Sequence, residues 1–264
     1  MSRQLQLALA GCVLLAAATV ATPASSGEAP TAPVYRYAVD HARLHDRGSF
    51  TEGLAFQGGY LIESAGLYGQ SSLRRVAIGT GRVLRSMRVP DRFWAEGATV
   101  LGARIYQLTY QEETGFVYDL RTFRRMRTFH YTGEGWGLSN DGSRLIISDG
   151  SDTLTFRDPK TFAVRKELEV KDGGQPIAGL NELELVRGAI CANIYTTPRV
   201  ACIDAKSGEV RYWIDLTGLP LPHVRSGEEG DANGIAYDAR RNRLFVTGKL
   251  WPRLYQIHRV RSAP

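Results

Sequence analysis

The chain has 264 residues, of which 43% are hydrophobic and 23% are charged, so it suits one large globular domain or two small ones. The net charge is 33 − 27 = +6, but the basic residues are scattered among acidic and apolar ones. This scatter favours a solvated basic surface over a nucleic-acid groove, which needs a clustered patch, and we expect no nucleic-acid partner.

Residues 1–26 have the pattern of a secretory signal peptide. Arg3 supplies the positive start, an alanine-rich apolar stretch follows, and small residues suited to cleavage end the segment. The apolar stretch is too short and too rich in alanine for a stable membrane span. The alternative is a lipoprotein site at Cys12 in LAGC, although apolar residues continue beyond this cysteine, whereas a lipidated cysteine usually ends such a stretch. The expected location is periplasmic or secreted.

After this segment, a unit of similar pattern repeats five times. Aligned on Gly53, the units start near residues 51, 95, 135, 180 and 232. Each unit has four short segments of alternating polarity separated by turn residues, except the fifth, which lacks its fourth segment. Four strands in a unit of about 40 to 45 residues are typical of a propeller blade. The sequence therefore predicts an all-β fold, a five-bladed β-propeller over residues 34–262.

One predicted strand, VYRYAVDHARL at residues 34–44, precedes the first unit. Pairing of this strand with the incomplete fifth unit would supply its missing fourth strand. Such pairing would also close the ring and remove an exposed sheet edge. We therefore expect the last blade to be completed by the N-terminal strand, with no second domain.

Ring closure would bring equivalent residues together at one mouth of the central channel. Ahead of the five first strands these residues are Glu52, Glu96, Trp136, Asn181 and Asn233, and after the second strands they are Gly66, Tyr110, Gly150, Tyr195 and Lys249. Trp251 lies two residues beyond Lys249. Singly, such residues are more often turn or packing residues. Together they predict a pocket for a small polar group that carries an ammonium and an amide.

Two cysteines, Cys191 and Cys202, remain after the signal peptide. They are equally far from a predicted hairpin turn at Thr196 and Thr197, so they would face each other on neighbouring strands. In an exported protein such a pair favours a disulfide. The alternative is two half-buried thiols, because facing positions do not always meet disulfide geometry.

Other catalytic motifs are absent from the sequence. No GxSxG, Walker, HExxH or CxxC pattern is present, and the five histidines have no metal-ligand spacing. We expect neither a cofactor nor a bound catalytic metal.

Several segments in order along the chain resemble the plant-type glutaminyl cyclases. They include FTEGL, YQLTY, GWGLSNDG, LNELE, ANGIAYD and VTGKLWPRLY, and the resemblance spans about residues 45–260. It implies a five-bladed propeller that converts the N-terminal glutamine of peptides or proteins to pyroglutamate and releases ammonia. It implies no catalytic metal.

The resemblance also implies roles for individual residues. Glu96 matches the essential glutamate of the xEG motif and would move a proton from the substrate ammonium to the leaving amide nitrogen. Asn181 and Lys249 would hold the carbonyl oxygen. The residues expected to bind substrate are Glu52, Tyr110, Trp136, Tyr195 and Trp251. Two of them depart from the family pattern, because tyrosine replaces tryptophan at positions 110 and 195.

Two other functions stay open on the sequence. One is a non-catalytic propeller that binds peptide N-termini or a periplasmic partner, and the two tyrosine replacements favour it. The other is a metal-dependent propeller hydrolase of the lactonase type, which a chelator would inactivate. For each of the three functions we expect a monomer.

Overall fold

A computed structural model describes residues 31–219 and 230–261, and the secondary structure in these ranges consists of strands and turns. Residues 1–30, with the predicted signal peptide and Cys12, lie outside the described residues. No helix in the described ranges has the length and apolarity needed to cross a bilayer. In chain order the strands are β1 (Val34–Leu44), β2 (Thr51–Gln57), β3 (Tyr60–Ala65), β4 (Ser72–Ala77), β5 (Val83–Arg88), β6 (Ala95–Leu101), β7 (Arg104–Thr109), β8 (Thr114–Asp119), β9 (Arg125–His130), β10 (Leu138–Asn140), β11 (Leu145–Ile147), β12 (Thr153–Arg157), β13 (Val164–Glu169), β14 (Lys171–Asp172), β15 (Gln175–Pro176), β16 (Leu180–Val186), β17 (Ala189–Ile194), β18 (Arg199–Asp204), β19 (Val210–Asp215), β20 (Ala232–Asp238), β21 (Arg243–Gly248) and β22 (Arg253–Arg261).

Twenty of these strands form five antiparallel units of four. The units are β2–β5, β6–β9, β10–β13, β16–β19, and finally β20–β22 with β1 as the outermost strand. The remaining two strands, β14 and β15, form a short hairpin after the third unit. This order confirms the predicted all-β propeller architecture.

The N-terminal strand completes the fifth unit, as the sequence predicts. β1 pairs antiparallel with β22 over most of its length, with Leu44 opposite Arg253 at one end. Its first residues also pair in parallel with β19, where Val34 lies opposite Trp213. β1 therefore covers the open edge of β22 and links the outer strands of two units.

Asp172 in β14 anchors the start of this strand. Its carboxylate accepts hydrogen bonds from the backbone N–H of Ala32 at 2.8 Å and from the backbone N–H of Thr31 at 3.1 Å. It also accepts a hydrogen bond from the indole Nε1 of Trp213 at 2.8 Å. A buried carboxylate with several N–H donors holds the chain firmly, because charge-assisted hydrogen bonds are stronger than neutral ones.

Buried apolar clusters fill each junction between neighbouring units. Representative pairs that share a cluster are Ile62 with Ile105, Leu108 with Leu145, Ile146 with Leu183, Cys202 with Val246, and Leu61 with Phe245. The last pair joins the fifth unit to the first, so the clusters form a closed ring. Burial of apolar surface at about 25 cal/mol per Å² holds these junctions together.

Four of the five first strands carry a β-bulge close to the channel mouth. The shifts in pairing register lie between Thr51 and Gly53, between Ala95 and Ala98, between Leu180 and Leu183, and between Ala232 and Ile235. A bulge re-aims side chains that would otherwise follow the alternation of the strand. These bulges contain Glu52, Glu96, Asn181 and Asn233, which are residues of the predicted mouth ring.

Glu182, beside Asn181, joins three first strands inside the channel. One carboxyl oxygen accepts the backbone N–H of Leu54 at 2.8 Å, and the other accepts that of Ile235 at 3.1 Å. The side chain is fully buried, and burial raises the pKa of its carboxyl well above the ordinary value. We assign it a structural role, because its oxygens are occupied by backbone donors of β2 and β20.

The predicted disulfide is present. Cys191 in β17 and Cys202 in β18 are directly paired across the hairpin, and a disulfide joins them. The equal distance of the two cysteines from the turn therefore predicted the bridge correctly.

Candidate active site

A cavity of about 170 Å³ lies at the channel mouth, where the first strands begin. The lining residues are Glu52, Trp94, Glu96, Tyr110, Trp136, Asn181, Tyr195 and Lys249. Seven of these eight residues belong to the two rings that the sequence predicts. The β-bulges bring in the carboxyl and amide groups, and the loops after the second strands bring in the tyrosines and the lysine.

Glu96 is a carboxyl group of this cavity whose pKa is raised well above its ordinary value. It is only 6% exposed, and burial is the main cause that raises its pKa well above the ordinary carboxyl value. The negative charge of Glu52 raises this pKa further, while the ammonium of Lys249 partly opposes the effect. A buried carboxyl with a raised pKa is suited to donate a proton near neutral pH and to take one back.

Donors on both sides of its carboxylate hold Glu52 in place. The ammonium Nζ of Lys249 lies 3.4 Å from Oε1, and the indole Nε1 of Trp94 donates to the same oxygen at 3.2 Å. The amide Nδ2 of Asn233 donates to Oε2 at 2.7 Å. Asn233, which the sequence predicts in the mouth ring, therefore does not line the cavity but holds Glu52 through this hydrogen bond.

The aromatic walls consist of two ring pairs. Trp136 and Tyr195 meet edge to face with centroids 5.3 Å apart, and Trp94 and Tyr110 are tilted at 6.3 Å. The ammonium of Lys249 lies 5.4 Å from the Tyr195 ring centroid, within the range of a cation–π contact. Both tyrosines that replace the family's tryptophans thus still form walls of the cavity.

Two predicted ring positions are glycines because tryptophan rings occupy the space beside them. A Cβ at Gly66 would overlap the indole of Trp94, and a Cβ at Gly150 would overlap the ring of Trp136. Gly150 also has a φ of +83°, which disfavours other residues. Glycine at these positions therefore makes room for the aromatic walls.

Asn181 presents an unsatisfied acceptor. It is 5% exposed, and its side-chain Oδ1 has no hydrogen-bond partner within the described residues. Its backbone carbonyl accepts a hydrogen bond from the Ser148 hydroxyl at 2.7 Å, which fixes the residue at the cavity wall. A buried acceptor without a partner is costly, so this amide is suited to meet a polar group of a ligand.

Trp251 does not line the cavity, contrary to the sequence-based expectation that it binds substrate. Its side chain is fully buried, its Nε1 donates to the carbonyl of Gly230 at 2.8 Å, and its ring packs edge to face against Tyr255. Leu250, between Lys249 and Trp251, has a φ of +60°. Because the backbone turns at Leu250, the side chain of Lys249 lies at the cavity, whereas that of Trp251 is buried in the core between the fourth and fifth units.

Trp94 is the lining residue that the ring alignment did not identify. It lies in the linker between β5 and β6, outside both rings, and its ring meets Phe50 and Tyr68 edge to face. A sequence signal did exist, because Trp94 stands two residues before Glu96. Residues two apart in extended chain point to the same side.

The strands form a propeller whose cavity combines a buried carboxyl group, an amide, an ammonium group and aromatic rings. This set of groups is suited to acid–base chemistry. The sequence profile of the glutamine cyclotransferase family matches residues 10–259. A glutaminyl-peptide cyclotransferase from Arabidopsis thaliana is 42% identical over 217 residues, which are 81% of this chain and 68% of the plant protein. The crystal structure of Myxococcus xanthus glutaminyl cyclase matches with a TM-score of 0.82 at 35% identity, covering 88% of this chain and 100% of that one. The chain belongs to the glutamine cyclotransferase family.

Proposed function

We propose that this protein is a glutaminyl-peptide cyclotransferase, which converts the N-terminal glutamine of a peptide or protein to pyroglutamate with release of ammonia. Family membership supports the proposal. The observation that carries it is the buried carboxyl of Glu96 with its raised pKa, beside the Glu52–Lys249 ion pair in a small cavity with aromatic walls.

The reaction is an acyl transfer within one molecule. The α-amine attacks the carbon of the side-chain amide, a new C–N bond closes the five-membered ring, and the bond to the amide nitrogen breaks. An unperturbed α-amine has a pKa of about 7.7 to 8.0, so much of the nucleophile is already free at mildly alkaline pH. Ammonia leaves only after its nitrogen gains a proton, so a positioned acid is the larger need. Glu96 donates its proton to the leaving nitrogen and takes in return the proton that the attacking amine loses.

The other cavity groups position the substrate. Asn181 and Lys249 are placed to hold the amide carbonyl and to stabilise the charge that develops on its oxygen. The pairs Trp94–Tyr110 and Trp136–Tyr195 confine the flexible side chain, which favours the folded pose needed for ring closure. Glu52 keeps Lys249 at the site through their ion pair.

The test is ammonia release from a glutamine-initiated dipeptide in the presence of EDTA. We expect turnover, and no turnover with the matched N-acetylated dipeptide, because acetylation removes the nucleophilic amine. Binding without ammonia release would favour the non-catalytic propeller instead. Loss of activity in EDTA, with recovery on addition of a divalent metal, would favour the metal-dependent hydrolase.

We also propose that the protein works in the periplasm or outside the cell. The predicted signal peptide at residues 1–26 supports this location, and so does the Cys191–Cys202 disulfide, because such bonds persist in oxidising compartments. N-terminal sequencing of the mature protein from a periplasmic fraction tests it. An unprocessed N-terminus in the cytoplasmic fraction would contradict it. The monomeric state stays a prediction.

A further inference from the structure

Three adjoining loops at the cavity mouth carry acidic residues and no lysine or arginine. They are residues 110–113, 131–137 and 148–152, and we call them the acidic sector. Their charged residues are Glu112, Glu113, Glu134, Asp149 and Asp152. The loops contact one another, since Gln111 donates to Glu134 at 2.9 Å and Trp136 N–H donates to the carbonyl of Ser148 at 3.0 Å. This sector is unusual in a chain whose net charge is +6.

The sector is attached directly to the aromatic walls of the cavity. Glu134 accepts a hydrogen bond from the indole Nε1 of Trp136 at 2.9 Å. Glu112 accepts one from the backbone N–H of Trp94 at 3.3 Å and one from the hydroxyl of Tyr68 at 2.6 Å. In the described part of the chain, all hydrogen-bond partners of these two carboxylates are uncharged groups. Neither carboxylate forms an ion pair within the described residues, while Arg92 and Arg125 border the same surface pocket as Glu112.

A separate observation points to a ligand in the cavity beside the sector. The Oδ1 of Asn181 is buried at the cavity wall and has no hydrogen-bond partner within the described ranges. A ligand in the cavity would satisfy this atom. The cavity of about 170 Å³ is small, so the rest of a longer peptide must leave through the mouth, which the acidic sector borders on the side of the second and third units.

We propose that the acidic sector makes the enzyme prefer peptides in which lysine or arginine follows the N-terminal glutamine at the second or third position. This inference rests on the proposed cyclotransferase function and adds its substrate class. The side chain of a cationic residue would lie against Glu112 and Glu134, whereas an acidic residue there would be repelled. Several carboxylates of one sign at a cleft mouth also raise the local concentration of cationic substrates.

The expected size of this preference follows from the exposure of the sector. Exposed ion pairs are individually weak, so we expect kcat/KM for a Gln-Lys peptide to exceed that for a Gln-Glu peptide by roughly 3- to 10-fold at low salt. In about 1 M salt the screening length falls to about 3 Å, and the preference should nearly disappear. The salt dependence of the wild-type protein is thus a test that needs no variant.

Single substitutions in the acidic sector then show which carboxylates cause the preference for cationic peptides. Glu112→Gln and Glu134→Gln each keep one oxygen, which can accept the hydrogen bond from Trp94 or Trp136. Each variant replaces the other oxygen with an amide nitrogen and removes one negative charge. Each should lower the Gln-Lys to Gln-Glu ratio by about 2-fold, in line with the strength of exposed ion pairs. The matched control is Glu167→Gln, which removes the same charge from the exposed outer strand β13 and should leave the ratio as in the wild-type protein.

The outcomes separate this inference from the function on which it rests. Equal turnover of Gln-Lys, Gln-Ala and Gln-Glu peptides at low salt would overturn the substrate preference and leave the cyclotransferase function standing. The substrate preference is also overturned if the sector variants and Glu167→Gln lower the ratio equally. Absence of ammonia release from all three peptides would overturn both.

Discussion

Glu96 is the residue on which the proposed chemistry depends most directly. Glu96→Gln keeps the size of the side chain and its hydrogen-bonding ability but removes the exchangeable proton. General acid–base catalysis typically contributes ~10²–10⁴-fold, so we expect kcat to fall by about that factor. Steady-state ammonia release measures the change, and thermal melting serves as the control for folding. Near-normal kcat with unchanged melting would mean that the acid is another group, with Glu52 or Lys249 as the candidates.

The negative charge of Glu52 should influence proton transfer by Glu96, because it raises the pKa of the Glu96 carboxyl. Burial is the main cause of the raised pKa of Glu96, and the negative charge of Glu52 is the next. Glu52→Gln removes that charge and so lowers the pKa of Glu96, which then loses its proton at a lower pH. We expect the alkaline limb of the kcat–pH profile to move to lower pH, with a far smaller loss of maximal kcat than for Glu96→Gln. The family resemblance implies that glutamine is tolerated here. An unmoved profile would contradict this coupling.

At the scale of single residues, the sequence predicted which side chains line the cavity wherever the repeat fixed the geometry. The β-bulges and the loops after the second strands have the same position in each unit, so an alignment was enough to place Glu96 and Lys249. Trp94 was missed because it enters from a linker outside the repeated pattern. Trp251 was misplaced because the reversal at Leu250 is a backbone turn that alternation does not reveal.

At the scale of elements, a buried charged network holds the segment that leads into β2. The Nε2 of His45 lies 2.8 Å from Oε1 of Glu63, and the hydroxyls of Ser49 and Thr51 donate to the same oxygen at 2.7 and 2.9 Å. Burial alone would raise the pKa of Glu63, but the charges of His45 and Arg74 and these hydrogen bonds outweigh it and lower the pKa to about 2. The network therefore fixes the chain on both sides of Phe50 and directly before Glu52.

Glu63→Gln removes the negative partner of the buried ion pairs with His45 and Arg74. Removal of one partner of a buried ion pair typically costs about 3–5 kcal/mol, so we expect a loss of that order in the free energy of unfolding. Urea titration at about pH 5.5 measures it. The matched control is Glu169→Gln, whose partner Lys171 lies at 2.8 Å on the surface, where solvent screens an ion pair and it adds little to stability. Equal losses in both variants would contradict a special role for the network.

The pH dependence of this loss has a definite sign. The folded pKa of Glu63 is depressed, so its contribution is present above the ordinary value of 4.5 and is lost as the pH falls towards 2. Burial opposes a raised pKa at His45, but the charge of Glu63 overcomes it, so the pKa lies above the ordinary value of 6.5. The contribution of His45 is therefore complete below 6.5 and is lost as the pH rises through the folded pKa. The difference between wild type and Glu63→Gln should be largest between these two ordinary values.

The sequence predicted long, regular elements better than short ones. Four of the five first strands begin at the predicted residues, because the alignment on Gly53 marks the same position in each unit. The third unit starts later than predicted, at Leu138, and its first two strands have only three residues each. The hairpin of β14 and β15 was not predicted, since strands of two residues have no measurable period.

At the scale of the whole molecule, the ring depends on a strand taken from the start of the chain. Without β1, the edge of β22 would expose unpaired backbone groups, and an open sheet edge is a template for pairing with another chain. The cavity would also be affected, because the chain after β1 is hydrogen-bonded to the loop that carries Lys249. The backbone N–H of Leu250 donates to the carbonyl of Ser49 at 2.8 Å, and the N–H of His45 donates to that of Pro252 at 3.0 Å.

Deletion of residues 31–43 should therefore destabilise the entire propeller and abolish ammonia release. β1 forms nine paired positions with β22, so its loss removes a whole ladder of hydrogen bonds as well as the anchor at Asp172. We expect a lower urea midpoint and a concentration-dependent increase in apparent size, measured by unfolding titration and size-exclusion chromatography. The control is Val39→Ala on the exposed face of β1, where a substitution usually changes stability by less than about 0.5 kcal/mol. A truncated chain with the wild-type midpoint and wild-type turnover would show that β20–β22 are stable without β1, and that closure by the N-terminal strand is not what holds the site together.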